Sequence, residues 1–212
     1  MRLDLITLLI ILLLFSGSSL GQEDSMEHWL RSGAEAYQKG QYEDALESFN
    51  KAIEKEPQNA SAWLGKGITL GEQGRSMEAL GCYNNSLEIN PQNAIAWYAM
   101  ASAQMDLGWT NASIESYDKS IEIDAQNKGA WYDKGNTLLQ SKRYEEAIQS
   151  YDEAIKLDPQ WPWPWYNKGR AFRALGRPDE ALQSFENATQ LDPNYMTGLE
   201  RERIHSGRSG PV

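Results

Sequence analysis

The stretch from Lys128 to Trp161, KGAWYDKGNTLLQSKRYEEAIQSYDEAIKLDPQW, decides the fold. Ala130, Trp131, Lys134, Gly135 and Leu138 recur at the three- and four-residue spacing of one helical face. A break follows around Ser141–Arg143. Tyr144, Ala147, Ile148, Tyr151, Ala154 and Ile155 then repeat that spacing in a second helix. Asp158-Pro159 ends it, because proline disfavours helical geometry in the residue before it. The unit is a helical hairpin, and alone it cannot bury its apolar stripe.

The hairpin is repeated. Trp29, Trp63, Trp97, Trp131 and Trp165 stand 34 residues apart without exception. Pro57, Pro91, Pro159 and Pro193 keep the same register, with Ala125 where the third unit departs from it. Five units follow: 26–59, 60–93, 94–127, 128–161 and 162–195. Such a fixed period is the mark of a stacked array. Gly40, Gly74, Gly108 and Gly176 fall between the two helices of their units, where a left-handed cap is useful. Pro178 falls where a second helix begins, and its missing N–H costs nothing there.

Small and bulky residues alternate in register. Position eight reads Gly33, Gly67, Ala101, Gly135, Gly169, and position twenty reads Ala45, Ala79, Ser113, Ala147, Ala181. Small residues let helix axes approach closely. Phe49, Tyr83, Tyr117, Tyr151, Phe185 and the five register tryptophans, expected in the core, fill the space beside them.

The ends differ from the array. Arg2 precedes an apolar run from Leu5 to Phe15, interrupted by Thr7, and then the small polar stretch Ser16 to Gly21. About eleven apolar residues are too few to span a bilayer, which takes roughly 20. The run fits a secretory signal over 1–21, with cleavage expected at Gly21–Gln22 and a linker over 22–25. The alternative is an uncleaved anchor formed by residues 5–15. At the other end, Leu199 takes the tryptophan position but Glu200 to Arg203 follow. One solvated face is what a terminal cap requires, so 196–205 reads as a capping helix and 206–212 as a flexible tail.

The pattern resembles the tetratricopeptide repeat (TPR) family over residues 26–195, with the fourth unit near the family consensus along its whole length. The resemblance implies an all-α, right-handed superhelical solenoid of five tandem helix-turn-helix repeats. It also implies a concave groove, lined by the first helices, that holds a peptide or partner helix. The third unit departs most, with Ala101, Gln104, Ser113 and Ala125 at family positions.

Groove residues are carried over from the family at positions two, five, nine and twelve, which share a helical face. They are Leu30, Leu64, Tyr98, Tyr132 and Tyr166 at position five, and Ile68, Asn136 and Arg170 among those at position nine. Tyr37, Met105, Leu139 and Arg173 follow at position twelve. Tyrosine suits peptide recognition, offering rigid area and a hydroxyl. Arg170 and Arg173, three apart, can pair with a carboxylate. The competing readings are family packing for the tyrosines and ion pairs with nearby Asp or Glu for the arginines. In the family's chaperone-binding members, Lys at position five and Asn at position nine clamp a terminal carboxylate. Only Asn136 matches here, which disfavours that role.

Trp161-Pro-Trp163-Pro-Trp165 adds two tryptophans to the register one, on a turn stiffened by proline. Exposed aromatics on a rigid turn are hot-spot material; the alternative packs them over Tyr132 or Tyr166. Four N-x-S/T sequons, at Asn59, Asn84, Asn111 and Asn187, agree with export, although chance supplies about one or two.

Composition narrows the function. The net charge of −10, without a basic stretch, argues against nucleic acid and anionic membrane surfaces. One cysteine, Cys82, excludes an internal disulfide, and His28 and His205 sit too far apart in sequence for a histidine metal or acid–base site. Phosphate-loop, zinc-protease, esterase and EF-hand motifs are absent. The sequence therefore predicts a non-catalytic scaffold without cofactor or small-molecule substrate, exported to the cell surface or secreted, that binds a protein or peptide. It touches membrane only through an uncleaved N-terminal segment. The alternative is a self-associating structural component of the cell envelope.

Overall fold

The computed structural model describes residues 24–193. The expected signal segment 1–21, capping helix 196–205 and tail 206–212 lie outside these residues. Ten α-helices, and no strand, are found among the described residues. They pair as hairpins: α1 Met26–Gln38 with α2 Tyr42–Lys55, α3 Ala60–Glu72 with α4 Ser76–Ile89, and α5 Ala94–Asp106 with α6 Thr110–Ile123. The last two are α7 Lys128–Gln140 with α8 Tyr144–Leu157, and α9 Pro162–Ala174 with α10 Pro178–Leu191. None of these helices is long and apolar enough to cross a membrane. The helices fall into two compact units, divided between Ile123 and Asp124.

Local chemistry sets the ends of each helix. Asn59, Asn93 and Asn127 each cap a first helix, their side-chain oxygens accepting from Ala62 N, from Ile95 and Ala96 N, and from Ala130 N. Each satisfies backbone donors that a helix start leaves orphaned. The fifth hairpin abandons this device: Trp161 takes the cap position with no side-chain bond, and Pro162 opens the helix. Between paired helices the chain turns through left-handed backbone. Gly74 has φ 73° there, and the fourth hairpin places Lys142 at φ 62°.

The register tryptophans are not core residues. All five are half-buried, and each ties down the turn before its own helix. The indole Nε1 of Trp63, Trp97, Trp131 and Trp165 donates to the carbonyl six residues earlier, of Pro57, Pro91, Ala125 and Pro159, at 2.9, 2.9, 3.1 and 3.4 Å. Trp29 donates instead to Asp24 Oδ1 at 3.0 Å. Buried tryptophan needs a partner for its N–H. Here that need draws the ring to the repeat junction rather than inward.

In the unit up to Ile123, α1–α3 bury Leu30, Ala45, Phe49, Ala52 and Ala62 together. A second cluster there runs from Leu64 through Tyr83 to Met100. In the unit from Asp124, Ile148, Ala171, Phe172, Ala181 and Phe185 form the core. The small-residue rule has a direct cause. A Cβ added to Gly67 would stand 2.6 Å from the Tyr83 ring, and one on Gly169 would stand 2.7 Å from the Phe185 ring. Surface pairs recur in register too: Arg75 grips Glu78, Arg143 grips Glu146 and Arg177 grips Glu180, each at the start of a second helix.

Candidate binding face

Position five lies against the ring at position twenty-four of the same hairpin. Tyr98 meets Tyr117 at 5.7 Å between centroids, Tyr132 meets Tyr151 at 6.1 Å, and Tyr166 meets Phe185 at 5.4 Å. Family packing therefore accounts for one contact of each tyrosine, and each is half-buried overall. In the first two hairpins leucine fills that position and sinks completely. Leu30 is 4 % exposed and Leu64 1 %. Both were expected on the binding face; both are core, because a side chain without a polar tip has nothing to hold it at the surface.

In the unit up to Ile123 the remaining expected residues make an apolar surface. Tyr37 stacks near Tyr42 at 5.7 Å, Ile68 packs onto the second core cluster, and Met105 is half-buried. Gln104, which replaces an aromatic, accepts from Ser116 Oγ at 2.8 Å.

The unit from Asp124 is different: three helices are stitched together by one polar network. Asn136 Oδ1 on α7 accepts from the Tyr151 hydroxyl on α8 at 3.0 Å and from Asn167 Nδ2 on α9 at 2.9 Å. The same amide nitrogen of Asn167 donates to the Tyr132 hydroxyl at 3.1 Å. Asn167 Oδ1 in turn accepts from Arg170 Nη1 at 3.0 Å. Asn136 Nδ2 faces Asp133 Oδ1 at 3.4 Å. Burial pushes the Tyr132 hydroxyl above the ordinary phenol range, opposed by its hydrogen bonds to Asn136 and Asn167. Tyr151 is raised further, again by burial. Both phenols stay protonated at neutral pH, so the network is neutral apart from its ends.

Around those ends lie the more exposed residues of the face. Leu139 and Tyr166 are half-exposed beside the network, and Arg170 and Arg173 are exposed. Arg173 lies over the Phe185 ring, 5.8 Å from its centroid. Among the described residues, neither arginine makes the ion pair that the sequence left open. Of the two extra tryptophans, Trp161 is half-buried against Tyr132, 4.7 Å between centroids, with Lys128 Nζ 5.4 Å from its ring centroid. Only Trp163 keeps the exposure expected of both, at 44 %.

Asn167 and Tyr151, both buried, were not anticipated as members of the network beneath this face. Asn167 sits at position six, a position otherwise holding Arg31, Gly65, Ala99 and Asp133, and it is 7 % exposed. An amide at a buried helix position, three residues before an arginine, was the available signal. The sequons occupy structural positions. Asn59 is a helix cap, and the hydroxyls of Ser86, Ser113 and Thr189 bond to the carbonyls of Ala60, Ala101 and Phe185. Asn84 and Asn111 themselves are exposed and Asn187 is half-exposed. Among the described residues, no three His, Cys, Asp or Glu side chains come together as a metal site.

No curated protein matches the chain. Solved structures do. A crystal structure of MamA superposes with a TM-score of 0.73 at 22 % identity, covering 76 % of this chain and 94 % of that one. MamA from Desulfovibrio magneticus RS-1 gives 0.75 at 16 % identity, covering 84 % and 100 %. YrrB, described as a TPR protein with an unusual peptide-binding site, gives 0.73 at 19 % identity, covering 93 % and 97 %. At such identities the likeness shows the fold alone. Family models described as TPR repeat match residues 33–74 and 135–176, and others described as tetratricopeptide repeat match 94–127, 116–149 and 162–195. With the hairpins, their left-handed turns and their ring-on-glycine contacts in the same register, the chain belongs to the tetratricopeptide repeat family.

Proposed function

We propose that the protein is a non-catalytic interaction module that holds an extended or helical segment of another protein against its first helices. The observation that carries this reading is the Tyr132–Asn136–Asn167–Arg170 network. Its members are fixed by one another, so a guest pays little ordering cost on the protein side. Half-exposed Tyr166 and exposed Trp163 supply apolar area next to it. YrrB, with the same fold, is described as having a peptide-binding site, which supports the reading without fixing the partner. A photo-reactive residue in place of Trp163 tests it. The partner should cross-link there, and not when the same residue replaces Met77, which is 59 % exposed in the other unit.

Residues 1–21 place the protein outside the cytoplasm in this proposal, secreted or at the cell surface, with an anchor at 5–15 as the alternative. Sequencing the mature N-terminus decides between them: a chain beginning at Gln22 is secreted, and one retaining Arg2 is anchored.

Self-association is a second reading, favoured by Met77 and by Trp109, which is 46 % exposed. It requires light scattering to show oligomers growing with concentration, and their loss when both residues become serine.

A further inference from the structure

Arg170 and Arg173 differ from the arginines that open the second helices. In this chain of net charge −10, Arg75, Arg143 and Arg177 are each held by a glutamate three residues on. Arg170 and Arg173 are exposed and, among the described residues, have no carboxylate partner. They lie three apart on α9, so their side chains leave the same helical face as neighbours. Arg170 spends one N–H on Asn167, which orients its guanidinium and leaves four donors. Arg173 is steadied over the Phe185 ring, a contact that uses no N–H at all. Two positioned forks with open donors match carboxylate geometry, and guanidinium is the cation least penalised for leaving water.

Resting on the reading of this face as a peptide site, we infer that the guest is an acidic peptide. One of its Asp or Glu side chains, or its terminal carboxylate, sits between Arg170 and Arg173. The rest of the peptide runs back along Asn167 and Asn136 toward Tyr132. The overall negative charge does not forbid this. At physiological ionic strength exposed charges beyond about 8 Å are largely screened, and the contact pair decides. The other first helices offer no such basic pair: positions nine and twelve hold Ala34 and Tyr37, Ile68 and Gly71, Ser102 and Met105, Asn136 and Leu139. The arrangement therefore sets direction as well as affinity, the acidic part of the guest lying on the fifth hairpin.

Selection from a random dodecapeptide library on the immobilised full chain tests the inference, beside the Arg170→Gln/Arg173→Gln variant. The wild-type pool should gain Asp and Glu over the input, and the variant pool should not. A selected acidic peptide, synthesised and fluorescently labelled, should bind the variant at least tenfold more weakly. It should bind Arg170→Lys/Arg173→Lys with intermediate affinity, and both variants should keep the wild-type melting curve. Wild-type affinity should also fall as salt is raised. A wild-type pool enriched in neutral or basic peptides overturns the acidic guest and leaves the peptide site standing. So does an acidic peptide that binds the glutamine variant unchanged. No enrichment from either protein overturns both.

Discussion

The Tyr151 ring lies so close to Gly135 that a Cβ added to the glycine would stand 2.6 Å from Tyr151 Cε1. The ring cannot retreat freely, because its hydroxyl is tied to Asn136 and its other neighbour is Tyr132. Gly135→Ala should therefore destabilise the protein. Overpacking costs about 1–3 kcal/mol, and the better helix propensity of alanine returns up to about 1 kcal/mol. A net loss of roughly 1–2 kcal/mol is expected from urea unfolding followed by tyrosine fluorescence and circular dichroism. An unchanged midpoint would show that the ring shifts without penalty, as a ring must already do opposite Ala101 in the third hairpin.

The turn at Lys142 stores strain that its counterparts avoid. Lys142 has φ 62° where the other four hairpins use glycine. Left-handed backbone costs a residue with a Cβ about 1–2 kcal/mol, while glycine adds entropy to the unfolded chain. Lys142→Gly should stabilise the protein by about 0.5–1 kcal/mol. Gly74→Ala should do the opposite by a similar amount. Thermal melting of the two variants checks the pair, and a fall in stability for Lys142→Gly sinks the argument.

These two sites show what the sequence could and could not say. The hairpins, their register and their small residues were legible, because the 34-residue period fixes which side chains repeat and sterics dictate what must be small. Helix faces were legible for the same reason, so Tyr98, Tyr132 and Tyr166 sit where the spacing put them. Depth was not. Leu30 and Leu64 share their register position, but without a hydroxyl that needs a polar partner they sink into the core. The register tryptophans erred in the other direction, toward the surface, because an indole N–H seeks a carbonyl and the repeat turn offers one. Pairing across helices was also hidden. Asn136 meets Asn167 only because α7 and α9 bring positions nine and six of successive hairpins together.

Acid should loosen the fold through its surface pairs. Arg75, Arg143 and Arg177 hold Glu78, Glu146 and Glu180 below the usual glutamate range by hydrogen bonding, and Lys128 does the same to Asp158. A carboxylate whose folded pKa is depressed contributes stability above its unfolded pKa, near 4. That contribution is lost as pH falls through the lower folded value. The melting temperature should hold steady from pH 8 to about pH 5 and decline below about pH 4. High salt should flatten the decline, since exposed pairs are screened. A decline that begins near pH 6 would point to some other group.

Trp161 and Trp163, two residues apart, should separate stability from binding. Trp161 is built in, packed at a 49° tilt against Tyr132 and approached by Lys128, which is itself paired with Asp158 at 2.7 Å. Ring pairs and cation–ring contacts are each worth about 0.5–1.5 kcal/mol, so Trp161→Ala should cost roughly 1–2 kcal/mol in urea unfolding. It should also release Tyr132 from its place in the polar network, and so weaken binding indirectly. Trp163 projects from the first turn of α9 at 44 % exposure, and its removal should change stability by less than about 1 kcal/mol. Its large apolar face beside a preformed polar site is the kind of group whose loss costs a guest about 2 kcal/mol or more. Titrating one selected peptide against both single variants and the double variant measures the split. If Trp163→Ala binds as tightly as the wild type, the exposed ring is not a contact, and the guest lies wholly on the Tyr132, Asn136 and Tyr166 side.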